Sequence, residues 1–251
     1  MSSTQVFEPG GYRYVPGVFQ YSAGVAAQPG FAIERAVFRR PVPLAAGFAA
    51  IAAHLRALGR PPLALCACEL RSPAPFSEEG FAAFNRAYVE PLRAWGIVIG
   101  DVNPVARTNV CPEVDPPAQP AFHAFSYTVA APAGARAGFV VAGSGEAPEG
   151  RGNYRDHVIR PGDTSTAGLR EKAAWVLGEM ERRMAALGGG WADASATQVY
   201  TVHDVHPLMR DALCARGAAA AGIAWHFARP PVAGLDYEMD VRGVGTERRI
   251  G

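Results

Sequence analysis

The chain has 251 residues, 49% of them apolar and 19% charged, which is enough apolar surface for one large domain or two of about 125 residues and too much for intrinsic disorder. Its 24 basic side chains nearly balance 23 acidic ones, and a net charge of +1 argues against nucleic acid or an anionic membrane as partner. Lys172 is the single lysine among those 24, so 23 cations are arginines and little is available for Schiff-base chemistry.

In chain order, the first 11 residues read as a loose polar arm with no signal-peptide pattern. No window of 18 apolar residues without a charge occurs, so no membrane span is expected. Residues 18–25 read as a strand entering a turn at Ser22-Ala23-Gly24, and 33–38 as a second strand. Leu44, Phe48, Ile51, Leu55 and Leu58 make one apolar helical face, ended by Gly59 and Pro61-Pro62. Residues 63–70 form a buried strand on which Cys66 and Cys68 would share a face. Ser77 is a candidate N-cap for a helix carrying Phe81, Phe84, Tyr88 and Leu92. Strands follow at 102–110 and 122–129, joined by a Pro-rich segment. The Ala/Pro/Gly-rich run at 131–137 is the candidate linker.

Beyond it the same order restarts. Residues 139–142 form a strand running into Gly143-Ser144-Gly145. The polar loop at 150–162 carries a short strand near 157–159. Residues 166–187 give the strongest helix, with Leu169, Ala173, Val176, Met180, Met184 and Leu187 on one face. A strand at 194–202, a helix at 205–216 and strands at 222–227 and 235–244 complete the chain. Ala57-Leu58-Gly59 matches Ala186-Leu187-Gly188, and Ala106-Arg107 matches Ala228-Arg229. This gives an α+β chain of two tandem β-β-α-β-α-β-β units, 12–130 and 138–251, each with helices on one face of a mixed sheet. Cys66, Cys68, Cys111 and Cys214 fit no disulfide or zinc framework and read as reduced core thiols of a cytoplasmic protein.

At this point the pattern resembles the RidA/YjgF superfamily. The residues that carry the resemblance are 139–145, Gly162-Asp163 with the helix after it, 194–204, Arg229, and Tyr237-Glu238-Met239-Asp240. In the first half they are Phe84-Asn85-Arg86-Ala87-Tyr88 and Val105-Ala106-Arg107-Thr108. The resemblance implies a chorismate-mutase-like fold, usually trimeric, and a cofactor-free site in which an arginine holds a small carboxylate. Two branches compete: hydrolytic deamination of enamines or imines, and a two-half, chorismatase-like reaction on chorismate or a similar enolpyruvyl or cyclic carboxylate. A metabolite-binding module without turnover is the third reading.

Arg229, between an apolar strand and Pro230-Pro231, is the expected clamp, because an arginine fork grips a carboxylate through two parallel hydrogen bonds. Glu238 and Asp240 alternate onto one strand face, Glu238 to activate water and Asp240 to support it. Arg107 keeps the arginine in the first half. There the family match puts His123 where the glutamate would be, and Asn109 where single-domain members often place a cysteine. Because family sites lie between neighbouring units, Gly143-Ser144-Gly145 of one unit would face the arginine of another and cradle an anion on backbone N–H groups. His226, three residues before Arg229, joins the substrate-binding set. His203 and His206 lack a third ligand, so no metal is expected. No dinucleotide fingerprint, P-loop or G-x-S-x-G elbow is present. Lys172, on a helix and away from the Arg229–Glu238 pair, is given no chemical role. The expected partner is a small carboxylate-bearing metabolite, with a homotrimer as the assembly.

Overall fold

A computed structural model describes residues 4–131, 134–135, 137–151 and 153–251. The expected linker at 131–137 falls partly outside these residues. The first half runs β1 (Gln5–Phe7), β2 (Tyr12–Val15), β3 (Gly24–Ala27), β4 (Phe31–Pro43), α1 (Leu44–Ala57), β5 (Leu65–Arg71), α2 (Glu78–Ala94), β6 (Ala106–Pro112) and β7 (Ala121–Ala130). The second runs β8 (Phe139–Gly145), α3 (Thr166–Ala186), β9 (Ala196–Tyr200), α4 (His206–Leu208), β10 (Ile223–His226), β11 (Ala228–Arg229), β12 (Glu238–Gly243) and β13 (Thr246–Ile250).

The helices form where spacing and caps dictate. Helix α1 buries Phe48, Ile51 and Leu55. Ser77 caps α2 by accepting from the Gly80 N–H at 3.0 Å, and Ser165 caps α3 through the Gly168 N–H at 3.2 Å. Helix α3 stops at Gly188, whose φ of 78° suits glycine. The regular helix expected at 205–216 is instead the short α4 followed by a π turn over Met209–Cys214. There the Ala215 N–H reaches back five residues to the Arg210 carbonyl.

Two sheets result. Their order is β11-β6-β5-β7-β4-β13 in one and β1-β2-β3-β8-β12-β9-β10 in the other. The inner quartets, β6-β5-β7-β4 and β10-β9-β12-β8, are the same arrangement twice: the first two strands are parallel and the rest antiparallel. The outer strands are exchanged between the halves. β3 pairs with β8, β11 with β6, and β13 lies parallel to β4.

Four further elements differ from the sequence expectation. The loose arm contains β1, which pairs with β2. The His157 and Val158 N–H groups close a turn on the Tyr154 carbonyl and the Ile159 N–H donates to the Glu146 carbonyl, so among the described residues the second half has no opening strand pair. Its additional strand is β13. Ala106-Arg107 opens β6, whereas Ala228-Arg229 follows β10 and joins the other sheet, so the two Ala-Arg pairs are not equivalent positions.

Helices α1 and α2 cover one sheet through Phe48, Ile51, Leu55, Phe81, Tyr88 and Leu92. Helix α3 covers the other through Leu169, Val176, Met180 and Met184. The uncovered faces meet in a third cluster that includes Tyr12, Val25, Ile33, Ala67 and Val140. A β-bulge between Leu65 and Ala67 sends Cys66 into this central cluster while Cys68 faces the helices, so the two thiols do not share a face. Cys214 is exposed, and all four cysteines are free. Among the described residues no helix is long and apolar enough to cross a membrane.

Candidate active site

Where β6 meets β8 and β12, the packing leaves a cavity of about 30 Å³. Arg107 and Asn109 line it from β6, Gly143 and Gly145 from β8, and Glu238 from β12. Tyr21, Phe81, Glu149, Tyr154, Pro231, Val232 and Leu235 complete the wall. Both halves of the chain therefore contribute to one site.

Arg107 is 3% exposed and sits among four aromatic rings. Its guanidinium carbon lies 4.7 Å from the Tyr21 ring centre, 5.0 Å from Tyr88, 5.4 Å from Phe81 and 5.6 Å from Phe84. One Nη1–H donates to the Asn85 Oδ1 at 2.6 Å. Among the described residues it makes no ion pair, so a desolvated fork faces the cavity without a counter-ion.

Glu238 is also buried. Burial holds its carboxyl well above the usual carboxylate range, and the Asp240 carboxylate adds to the effect while Arg107 opposes it. Gly143 makes room for it: a Cβ there would overlap the Glu238 Oε1 and press on the Thr108 methyl at 3.0 Å. The second acid on the cavity, Glu149, accepts from the Tyr21 hydroxyl at 3.1 Å and from the Arg183 Nη2 at 3.0 Å. Asn109 accepts from the Ser72 hydroxyl, and its buried Nδ2 has no protein partner. The arrangement supplies a cation and an amide donor for an anion, with an acid opposite them whose ionisation burial disfavours.

Several expected residues lie elsewhere. Arg229 is half-exposed on β11, and its Nε pairs with Glu113 at 2.6 Å. It does not line the cavity, although Pro231 and Val232 just beyond it do. Asp240 faces the space between the sheets and accepts from Gln198 at 2.8 Å and Tyr200 at 2.9 Å. His226 stacks on Tyr200 at 4.9 Å and meets the Gln198 Oε1 at 3.1 Å. His123 is in the same polar layer, where burial and Arg71 push its imidazole down to about 3. Ser144 is turned away, its hydroxyl 3.3 Å from the Arg183 Nη2. His203 and His206 each approach an aspartate, and no metal-holding cluster occurs among the described residues.

Glu149 and the caging of Arg107 by aromatic rings were not anticipated in the sequence, and Asn85 entered only as part of the 84–88 motif. Phe81, Phe84 and Tyr88 read only as a helix core face, and that face is also what surrounds the arginine. Lys172 is completely buried, not set apart: its Nζ lies 3.2 Å from Glu146 and 2.7 Å from Asp236, two residues before Glu238.

Comparison with known proteins gives the following. A family model described as 2-aminomuconate deaminase CnbZ matches residues 4–248. A 2-amino-5-chloromuconate deaminase of Comamonas testosteroni is 55% identical over 248 residues, covering 98% of this chain and 99% of its own. Among solved structures, a chorismatase aligns over 88% of this chain and 77% of its own, with 14% identity and a TM-score of 0.48. The YjgF gene product of E. coli aligns over 43% and 80%, with 16% identity and a TM-score of 0.31.

Proposed function

The chain belongs to the 2-aminomuconate deaminase family and is a deaminase, and from that premise we propose that it hydrolyses 2-aminomuconate or a close relative in the Arg107–Glu238 cavity. The observation that carries this reading is a buried arginine, without an ion pair among the described residues, that lines one cavity with a buried carboxyl whose ionisation burial disfavours. Of the three readings of the sequence, deamination is the one the family supports, and its hydrolytic course belongs to this proposal.

Arg107 grips a substrate carboxylate, and the Asn109 amide donates a further hydrogen bond to it. Glu238 delivers its proton to the enamine carbon, which converts the enamine to the imine. The carboxylate so formed takes a proton from water as that water adds to the C=N carbon. Glu238 passes that proton to the amine nitrogen of the carbinolamine, the C–N bond breaks as the hydroxyl collapses to the carbonyl, ammonia leaves, and a 2-oxo acid remains. One water is consumed and one ammonia released, and Glu238 is protonated again as the carbonyl forms. No electron transfer is required.

A cavity of about 30 Å³ holds a water molecule or two, so a muconate-sized substrate enters by displacing part of the wall. The wall that carries Glu149 and Tyr154 is held from outside by Glu78, whose Oε1 accepts from the Tyr154 and Arg155 N–H groups at 3.1 and 3.0 Å. The homotrimer belongs to the same reading, and a native mass of three chains by light scattering would support it.

The test is ammonia release from 2-aminomuconate by the purified protein. Turnover by the wild type and its loss in Glu238→Gln are expected. Full turnover in E238Q would remove Glu238 from the mechanism.

A further inference from the structure

Lys172 projects from α3 with its ammonium completely buried, donating to Glu146 at 3.2 Å and Asp236 at 2.7 Å. Glu146, at the end of β8, is equally buried and does more than pair with it. Its Oε1 accepts from the Asp236 N–H at 2.6 Å and its Oε2 from the Tyr237 N–H at 3.1 Å. The peptide units that lead into Glu238 therefore hang on a carboxylate whose charge is balanced by Lys172. The Thr201 hydroxyl fixes the same turn through the Asp236 carbonyl at 2.7 Å.

In a chain whose other 23 cations are arginine, the one lysine is completely buried between two carboxylates. A compact ammonium fits where a planar guanidinium would need more room. We propose that Lys172 is a positioning residue for the reaction: its ammonium keeps the Glu146 carboxylate under the 236–237 backbone and so sets where Glu238 meets the substrate. The proposal rests on the reading of Glu238 as the proton-transferring acid.

The groups that face Glu238 are Asp240 on its own strand, Arg107 and Cys111 on β6, Glu146 and Glu149 at and after the end of β8, and Tyr154. Of these only Glu146 is held by Lys172. Removing the ammonium leaves the Glu146 carboxylate unbalanced beside Glu238, which disfavours Glu238 ionisation and loosens the 236–237 turn.

The experiment compares wild type, Lys172→Met and the double variant E146Q/K172M. The Glu238 carboxyl stretch, identified by its loss in E238Q, is titrated by infrared spectroscopy without substrate. Steady-state kinetics on 2-aminomuconate are measured across pH. In K172M the Glu238 midpoint should move to higher pH, and kcat should fall about tenfold or more with KM little changed, because Arg107 is untouched. In the double variant the midpoint should return toward wild type while kcat stays low. An unmoved midpoint in K172M, or a kcat lowered by one factor at every pH, would reduce Lys172 to a scaffold role. If K172M does not fold, a double variant with wild-type kcat overturns the proposal. Undiminished turnover in E238Q defeats the mechanism instead, and the infrared arm then judges Lys172 alone.

Discussion

Arg107 and Arg229 were both candidates for the carboxylate clamp, and their surroundings separate them quantitatively. Arg107→Met removes a buried fork that would make two charge-assisted hydrogen bonds to a carboxylate. At about 1.5–3 kcal/mol each, the loss is about 3–6 kcal/mol, or about 10²- to 10⁴-fold in kcat/KM. The same change frees the Asn85 Oδ1 and empties the aromatic cage, which costs about 1–3 kcal/mol of stability. Arg229→Met breaks an ion pair whose side chains are 42% and 34% exposed, worth at most about 1 kcal/mol. Its kcat/KM should stay within about threefold of wild type. The assay is ammonia release over a range of 2-aminomuconate concentrations, with melting curves to confirm that each variant is folded. If R107M stays within tenfold of wild type, or R229M falls as far as R107M, the assignment of the clamp is wrong.

Other substitutions test the remaining parts of the site. Glu238→Gln should raise the melting temperature as it removes activity. A carboxyl whose folded pKa is raised destabilises the fold above its unfolded value near 4.5, and the gain should grow with pH from there up to the folded pKa. Melting curves from pH 4 to 9 check this, and a constant difference across that range would count against a protonated Glu238. Gly143→Ala, outside the left-handed backbone region, should act by steric displacement of the Glu238 carboxyl. It should lower kcat more than tenfold at a stability cost of about 1–3 kcal/mol, and unchanged kinetics would show that Glu238 can retreat freely. Deleting residues 246–251 should expose the β4 edge and strip Glu247 from Arg35 and Arg242, lowering Tm by about 5 °C or more and promoting aggregation.

Local chemistry made the helices legible. Ser77 and the spacing of Phe81, Phe84 and Tyr88 predict α2, and the 44–58 pattern predicts α1. Glu238 lies on a strand and lines the cavity as its alternation with Tyr237 and Met239 implies. The sequence pairs it with Arg229, whereas the arginine on the same cavity is Arg107. Arg229 is nearer in sequence and followed by two prolines, whereas Arg107 reaches the cavity only because β6 packs beside β8. That neighbourhood is set by long-range pairing, which leaves no periodic trace. β13 escapes the sequence reading for a related reason: Thr246-Glu247-Arg248-Arg249-Ile250 has no alternating apolar pattern, and Glu247 and Arg248 are satisfied by Arg35, Arg242 and Glu34 of other strands. Lys172 was misplaced because a charge on a helix is ordinarily solvated, and only its packing reveals the two carboxylates around it.

The exchange of outer strands gives the molecule a chronology. As the chain leaves the ribosome, β3 emerges more than a hundred residues before the β8 strand it pairs with, and β4 waits more than two hundred for β13. Neither sheet can close while only its own half has been made, so the first half must persist with open edges until the second arrives. Arg107 is synthesised early and Glu238 late, and the cavity they line exists only once both sheets are sealed. Activity is thus a readout of completed synthesis, and a stalled or clipped chain carries the clamp without the acid.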